Sequence, residues 1–242
     1  MKTGLSCHVP LKPGESVDSF MDGRLHLIQS AKGYRFSVDA ILLSRFATAR
    51  KGDRVVDLGA GCGIIGLMLL LTRPIGGVVC LEVQASLADQ AFRNANLNGF
   101  KDKMTVIRGD IRHPPLCASM ADVVVCNPPY RPARSGRINP DRERAIARHE
   151  ILASLTDILS AAVRLLKPKG RIAMVYPAVR LAELTARLRS FGLEPKRMRM
   201  LHPGLQEEAR LVFVEARGGA KSGLKILPPL MDQGDFSISP AT

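Results

Sequence analysis

The chain has 242 residues, 46% of them hydrophobic, which suits one α/β domain of ordinary size and excludes an intrinsically disordered protein. Lys and Arg number 35 against 22 Asp and Glu, a formal charge of +13 that points to a polyanionic partner, with solubility as the plainer alternative. No apolar run approaches the ~18 residues of a membrane span, "MKTGLSCHVP" lacks a secretory core, and the five cysteines (7, 62, 80, 117, 126) show no CxxC spacing, so the expectation is a cytoplasmic chain with free thiols, no metal site and no disulfides.

Residues 1–23 carry Pro10, Pro13 and Gly14 and read as a loose arm. "LHLIQ" (25–29) and "YRF" (34–36) read as two extended pieces of a hairpin around "SAKG". "SVDAILLSRFA" has helical spacing, with Ser37 as its cap and Asp39 in its first turn. From residue 53 strand and helix alternate. Strand "RVVDL" leads to helix "GIIGLMLLLTR", stopped by Pro74, and strand "GGVVCLE" leads to helix "QASLADQAFRNANLNG". Strands "MTVIRGD" and "ADVVVC" follow, then helix "HEILASLTDILSAAVRLL", strand "GRIAMVYP", helix "AVRLAELTARLRSFG" and strands "EPKRMRMLH" and "ARLVFVEAR". These strands are continuous apolar runs, the mark of a parallel sheet covered on both faces. The last two have no helix between them and should pair antiparallel. The expected fold is α/β: a Rossmann-like, doubly wound, seven-stranded, mostly parallel sheet with an antiparallel last pair. Residues 24–217 would form a single domain and 218–242 a tail, with "LKILPPL" docking on the body.

The first of these strands ends in "VVDLGAGCGIIG", which admits two frames. Gly61, Gly63 and Gly66 spell GxGxxG, the dinucleotide fingerprint, whereas Asp57, Gly59, Gly61 and Gly63 spell DxGxGxG, the pattern of adenosylmethionine binders. Either lets the chain turn sharply and approach a ligand, and a tight turn without a ligand is the bland alternative. Glu82 ends the next strand and suits the ribose hydroxyls of either cofactor. Asp57 separates the two frames, because a carboxylate there suits the ammonium end of adenosylmethionine and repels a pyrophosphate.

The fourth strand ends in "NPPY" (127–130). In a doubly wound sheet the strand order reverses between the first strand and the fourth, and ligands bind outside the carboxyl ends at that point. The glycine turn and Asn127 should therefore share one crevice. A planar amine attacks a methyl sulfonium poorly, since its lone pair is delocalised. The Asn127 oxygen and the Pro128 carbonyl can accept its two hydrogens and expose that lone pair. Pro129 holds Pro128 extended, and Tyr130 offers a ring on which a base stacks. Catalysis of this kind is positioning plus electrostatics. A rigid Asn-Pro turn is the alternative.

With these motifs the chain resembles class I adenosylmethionine-dependent methyltransferases, and within them the amino-methylating group with [DNS]PP[YFW]. "KGYRFSVDAILLSRF" (32–46) and "ARLVFVEARGGAKSGLKILPPL" (209–230) look like the bacterial tRNA adenine-N6 methyltransferases that modify the adenine beside the anticodon of a valine tRNA. The resemblance covers most of residues 24–230. It implies that Asp57, Gly59, Gly61 and Gly63 line the methionine end of the cofactor and that Glu82, followed by Val83, holds the ribose. It implies that Asp110 meets the adenine amine of the cofactor beside Ile111, and that Tyr34, Phe36, Ser37 and Asp39 close the site from the N-terminal side. "GGAKSG" departs slightly from the run expected of that family, and "MDQGDFSISPAT" continues beyond its usual end.

Arg131, Arg134, Arg137, Arg142, Arg144 and Arg148 follow Tyr130 and suit RNA phosphates and bases, with a solvated loop balanced by Asp141, Glu143 and Glu150 as the alternative. Lys221 and Lys225 suit phosphates too. The leading expectation is an RNA adenine-N6 methyltransferase acting on tRNA. The rivals are a protein glutamine N5-methyltransferase, an rRNA guanine-N2 methyltransferase, an RNA-binding protein with a vestigial cofactor site, and a nicotinamide oxidoreductase. The chain bears no mark of its oligomeric state.

Overall fold

A computed structural model describes residues 9–31, 36–128 and 153–232. Strands β1 (Glu15–Phe20) and β2 (Leu25–Ser30) form an antiparallel hairpin that precedes helix α1 (Val38–Phe46). The alternating part follows as β3 (Arg54–Leu58), α2 (Ile64–Thr72), β4 (Gly77–Glu82), α3 (Ala85–Leu97), β5 (Met104–Arg108) and β6 (Ala121–Cys126). It continues with α4 (Leu155–Leu165), β7 (Leu166–Pro177), α5 (Leu181–Ser190), β8 (Leu193–His202) and β9 (Leu211–Gly218). Two short strands, β10 (Lys225–Ile226) and β11 (Leu230–Met231), end the described chain.

The seven long strands of the main sheet lie in the order β8-β9-β7-β6-β3-β4-β5. Neighbours from β7 to β5 are parallel, and β9 runs antiparallel to both β7 and β8. The chain steps outward from β3 to β4 and β5, then returns to the other side of β3 with β6. That reversal is the switch point the sequence predicts.

Alternation along each strand divides the core into two layers. Val55, Val123, Val125, Ala173, Val175 and Phe213 face α1, α2 and α3. Val56, Leu58, Val124, Cys126, Ile172, Met174 and Val212 face α4 and α5. Residues Ile64 to Leu70 of α2 are all buried, which explains why that helix has no polar face. Ser154 caps α4, its hydroxyl accepting from the Asp157 amide at 3.2 Å while its own amide donates to Asp157 at 2.8 Å.

One expectation is corrected. β2 pairs with β1, inside the segment read as a loose arm; residues 34–35 of the expected hairpin lie outside the described residues. Glu15 sits opposite Ser30 and Phe20 opposite Leu25, across a turn in which Met21, Asp22 and Gly23 all adopt positive φ. The hairpin is fixed from α3. Glu15 meets Arg93 at 2.5 Å and 2.7 Å, and the pairing holds the Glu15 carboxyl down at about 2. Asn98 donates to the His26 carbonyl at 2.6 Å and accepts from its amide at 2.8 Å, and Asn94 treats Ile28 likewise at 3.1 Å and 2.7 Å. The tail does dock: β10 and β11 pair parallel with β8, at Arg197–Met198 and Leu201–His202.

Candidate active site

β3 hands over to α2 through Gly59, Gly61 and Gly63, each at positive φ. Gly63 caps α2 in the left-handed conformation, and a Cβ there would lie 2.4 Å from Met104 Cε and 3.2 Å from Ala91 Cβ. A side chain there would have to displace the Met104 methyl and press on Ala91, and the positive φ would strain it as well. Gly59 is different: its missing side chain leaves open space, the nearest atom being Ile111 Cδ1 at 3.8 Å. That space is a pocket lined by Gly59, Leu81, Glu82, Val83, Asp110, Ile111 and Ala153.

Three carboxylates stand at this pocket or behind it, each in a different state. Asp57 is fully buried and neither of its oxygens has a hydrogen-bond partner among the described residues. Burial, and next the Glu82 charge, push its carboxyl up to about 7 against a smaller opposing effect of the Gly66 amide. Glu82 accepts from the Gly61 amide at 2.8 Å and from the Gln84 amide at 2.9 Å, so it braces the glycine turn from the end of β4. Asp110 accepts from the Arg112 amide at 2.8 Å and from the Arg112 guanidinium, closest at 2.6 Å. That hydrogen bonding keeps the Asp110 carboxyl below the usual carboxylate range.

Register brings the second motif to the same place. Leu58 on β3 pairs with Cys126 on β6, and one residue further the two chains continue as Gly59 and Asn127. Asn127 is half-buried and Pro128 buried. Tyr34, Pro129, Tyr130 and the six arginines from Arg131 to Arg148 lie outside the described residues.

Of the N-terminal candidates, Phe36 packs edge-on against Phe20, ring centroids 5.1 Å apart, and its amide donates to Gln29 at 3.2 Å. Ser37 precedes α1 and is exposed, with no side-chain cap bond, and Asp39 meets Arg210 at 3.5 Å. None of the three lines the pocket. Lys221 and Lys225 are exposed on the tail. Lys225 lies on β10, five strand spacings from β3 in the sheet order, about 24 Å.

Sequence reasoning missed Leu81 and Ala153 in the pocket wall, and it missed Arg112. It also missed Asn94, which is fully buried and donates to the carbonyl of Cys62 in the glycine turn at 3.0 Å. The only trace of that role was a pair of amides four residues apart, Asn94 and Asn98, on one face of a helix.

The acceptors present fit adenosylmethionine. An unpartnered buried carboxylate suits its ammonium, Glu82 retains lone pairs for ribose hydroxyls, and Asp110 stands beside the apolar walls of Ile111, Leu81 and Ala153. This sheet order, with a glycine turn and acidic pocket at its switch point, defines a class I adenosylmethionine-dependent methyltransferase. The chain belongs to the methyltransferase small domain family, whose model matches residues 37–188. It is 32% identical over 169 residues to a tRNA1(Val) (adenine(37)-N6)-methyltransferase of Tolumonas auensis, covering 69% of this chain and 70% of that one. A protein of the same name from Porphyromonas gingivalis is 29% identical over 208 residues, covering 83% and 81%. Among solved structures, a predicted O-methyltransferase of Agrobacterium tumefaciens superposes with a TM-score of 0.66 at 21% identity, over 84% of this chain and 92% of that one, a likeness of fold.

Proposed function

We propose that the protein methylates the exocyclic N6 amine of an adenine in tRNA, beside the anticodon, in the cytoplasm. One observation carries the reading: the β3–β6 register sets Asn127 and Pro128 next to the glycine turn. The curated relatives carry the same activity in their names. Asp57, Gly59, Gly61, Gly63, Glu82, Val83, Asp110 and Ile111 hold the cofactor, Glu82 at the ribose and Asp110 at the adenine amine. Bound there, adenosylmethionine supplies the methyl group as an electrophilic sulfonium.

The chain's own residues handle the acceptor. The Asn127 side-chain oxygen and the Pro128 carbonyl accept the two hydrogens of the target amine and draw its nitrogen toward tetrahedral geometry. Pro129 fixes the carbonyl, and Tyr130 stacks the base. No strong base is required, since the proton leaves after the methyl arrives. Arg131, Arg134, Arg137, Arg142, Arg144 and Arg148 grip the RNA near the pocket, and Lys221 and Lys225 meet phosphates further out.

The test is single-turnover methyl transfer to an unmodified tRNA transcript, with mass mapping of the modified nucleoside. N6-methyladenosine beside the anticodon is the expected product. Transfer to a protein glutamine or to guanine N2, with none to adenine, would overturn the reading.

A further inference from the structure

We propose that the cleft between the loop after β5 and helix α4 binds a phosphodiester group of the RNA, with Arg164 as its principal cation. The proposal rests on the reading of RNA as the substrate.

The loop that follows β5 serves two hollows of opposite character. On one side Asp110 and Ile111 line the cofactor pocket. On the other, Arg112, His113 and Pro114 face Ser160, Ala161 and Arg164 of α4 across a cleft of about 370 Å³. Ser160 and Arg164 are four residues apart and so share one face of the helix. Pro114 and Ala161 are buried and form the floor, whereas Arg112, His113, Ser160 and Arg164 are exposed. Among the described residues, no carboxylate lines this cleft.

The two arginines differ in how their charge is met. Arg112 is paired with Asp110, and Asp157 at the head of α4 adds a weaker pull. Arg164 has carbonyls for partners instead, those of Pro114 at 2.9 Å and Leu116 at 3.0 Å. A guanidinium carries five N–H groups, and these two bonds draw on Nη1 and Nη2 only once each, so the rest remain for a ligand. The same bonds hold the planar fork in place, and a ligand meets a cation that is already ordered. A cation without a carboxylate partner, beside a histidine ring and a hydroxyl, suits the two free oxygens of a phosphodiester. A contact of this kind positions a strand and reads no base. Because Asp110 and Arg112 are two residues apart, a strand gripped in the cleft stays at the edge of the active site.

Filter binding of an unmodified tRNA transcript across a salt series provides the test. Ser160 is exposed, so a charge can be added there without disturbing the core. Ser160→Asp should weaken tRNA binding by about twofold to fivefold at low salt, and Ser160→Lys should strengthen it by a similar factor. Arg164→Gln should lower the salt slope by about one. Calorimetric affinity for S-adenosylhomocysteine should hold at the wild-type value in both Ser160 variants. Ala186→Asp, at an exposed position of α5, makes the same change in net charge elsewhere and should weaken tRNA binding less than Ser160→Asp. Equal weakening by the two would reduce the effect to net charge and overturn the proposal. A tRNA affinity indifferent to both Ser160 substitutions would overturn it too, while salt-dependent binding by the wild type would leave the RNA reading standing. Inorganic phosphate that binds the wild type and not Arg164→Gln, with tRNA affinity unmoved, would make the cleft a small-anion site and refute the phosphodiester assignment. A wild-type protein that binds no tRNA would bring down the RNA reading and the cleft with it.

Discussion

The Glu82 carboxylate accepts the Gly61 amide at 2.8 Å. The residue that sequence logic assigns to the ribose is therefore also a strut of the glycine turn, and no substitution can remove one role alone. Glu82→Ala should weaken adenosylhomocysteine binding by about tenfold to a hundredfold, as expected for losing a charged acceptor, and should lower the melting temperature of the ligand-free protein. Glu82→Gln keeps one acceptor oxygen but turns an amide N–H toward a backbone donor, so its affinity should fall between the two. Calorimetry combined with thermal melts checks both effects. Unchanged melting in Glu82→Ala would show that the turn stands without its strut.

Asn127 gives the sharpest test of the chemistry. Asn127→Ala should reduce single-turnover methyl transfer by roughly 100-fold or more, the scale for removing one preorganised polar group. Asn127→Asp should keep more activity, since a carboxylate still accepts the hydrogen bond. Cofactor affinity should change little in either. Near-wild-type rates for Asn127→Ala would reduce the motif to a turn.

On the proposed role of Asp57, cofactor binding and stability should both depend on pH. Its folded carboxyl lies at about 7 against an ordinary value of 3.8. A raised value means that the folded state favours the proton, so this group stabilises fully below 3.8 and loses that contribution as pH rises through 7. The ligand-free protein should therefore soften between pH 4 and 8 by an amount that Asp57→Asn removes. A bound ammonium favours the ionised form, so adenosylmethionine affinity should rise with pH through 7 in the wild type and lose that slope in Asp57→Asn. Melting curves and titrations across this range decide it. Parallel pH profiles for the two proteins would contradict the assignment.

Asn94 links the N-terminal hairpin to the glycine turn. Asn94→Ala strands the Ile28 amide and the carbonyls of Ile28 and Cys62 in a buried place, which should cost at least ~2 kcal/mol. Asn98→Ala touches only His26 and the Asn94 carbonyl in its own helix, so it should leave cofactor affinity closer to wild type. Denaturant unfolding and ligand titration of both variants separate the two.

Charge-neutralising Arg134, Arg137 and Arg142 together should weaken tRNA binding and flatten its salt dependence, with cofactor binding unchanged. Filter binding across a salt series is the measurement. An unaltered slope in the triple variant would remove these arginines from the interface.

What was legible in the sequence was local. β3, β4 and β6 are apolar runs with polar or glycine ends, and a strand end carries its motif within a few residues, which is how the positions of Asp57, Glu82 and Asn127 near strand ends could be read. The pocket residues Gly59, Glu82, Val83, Asp110 and Ile111 were likewise readable, because each sits at the carboxyl end of a strand. What failed depended on distant partners. β1 was missed because its pairing is fixed by Arg93, 78 residues from Glu15. Ala153 reaches the pocket only because the chain returns there before α4, and no spacing rule announces that. Phe36, which the resemblance sets on the N-terminal side of the site, packs edge-on against Phe20, a contact with a distant partner that no local pattern announces.

The tail strands have a further meaning for the molecule in a crowded solution. β8 would otherwise be an outer edge with free amides and carbonyls, open to any extended chain that met it. Instead, the Leu227 amide takes the Met198 carbonyl and the Asp232 amide takes the His202 carbonyl, both at 2.8 Å. The Lys196 ammonium holds the approach by binding the Lys221 carbonyl at 2.9 Å. β10 and β11 are two residues each, too short to extend the sheet by another partner, so they act as a selvedge. Shortening the chain after Gly218 would bare that edge, and the first casualty would be solubility, through self-association strand against strand, before any loss of chemistry.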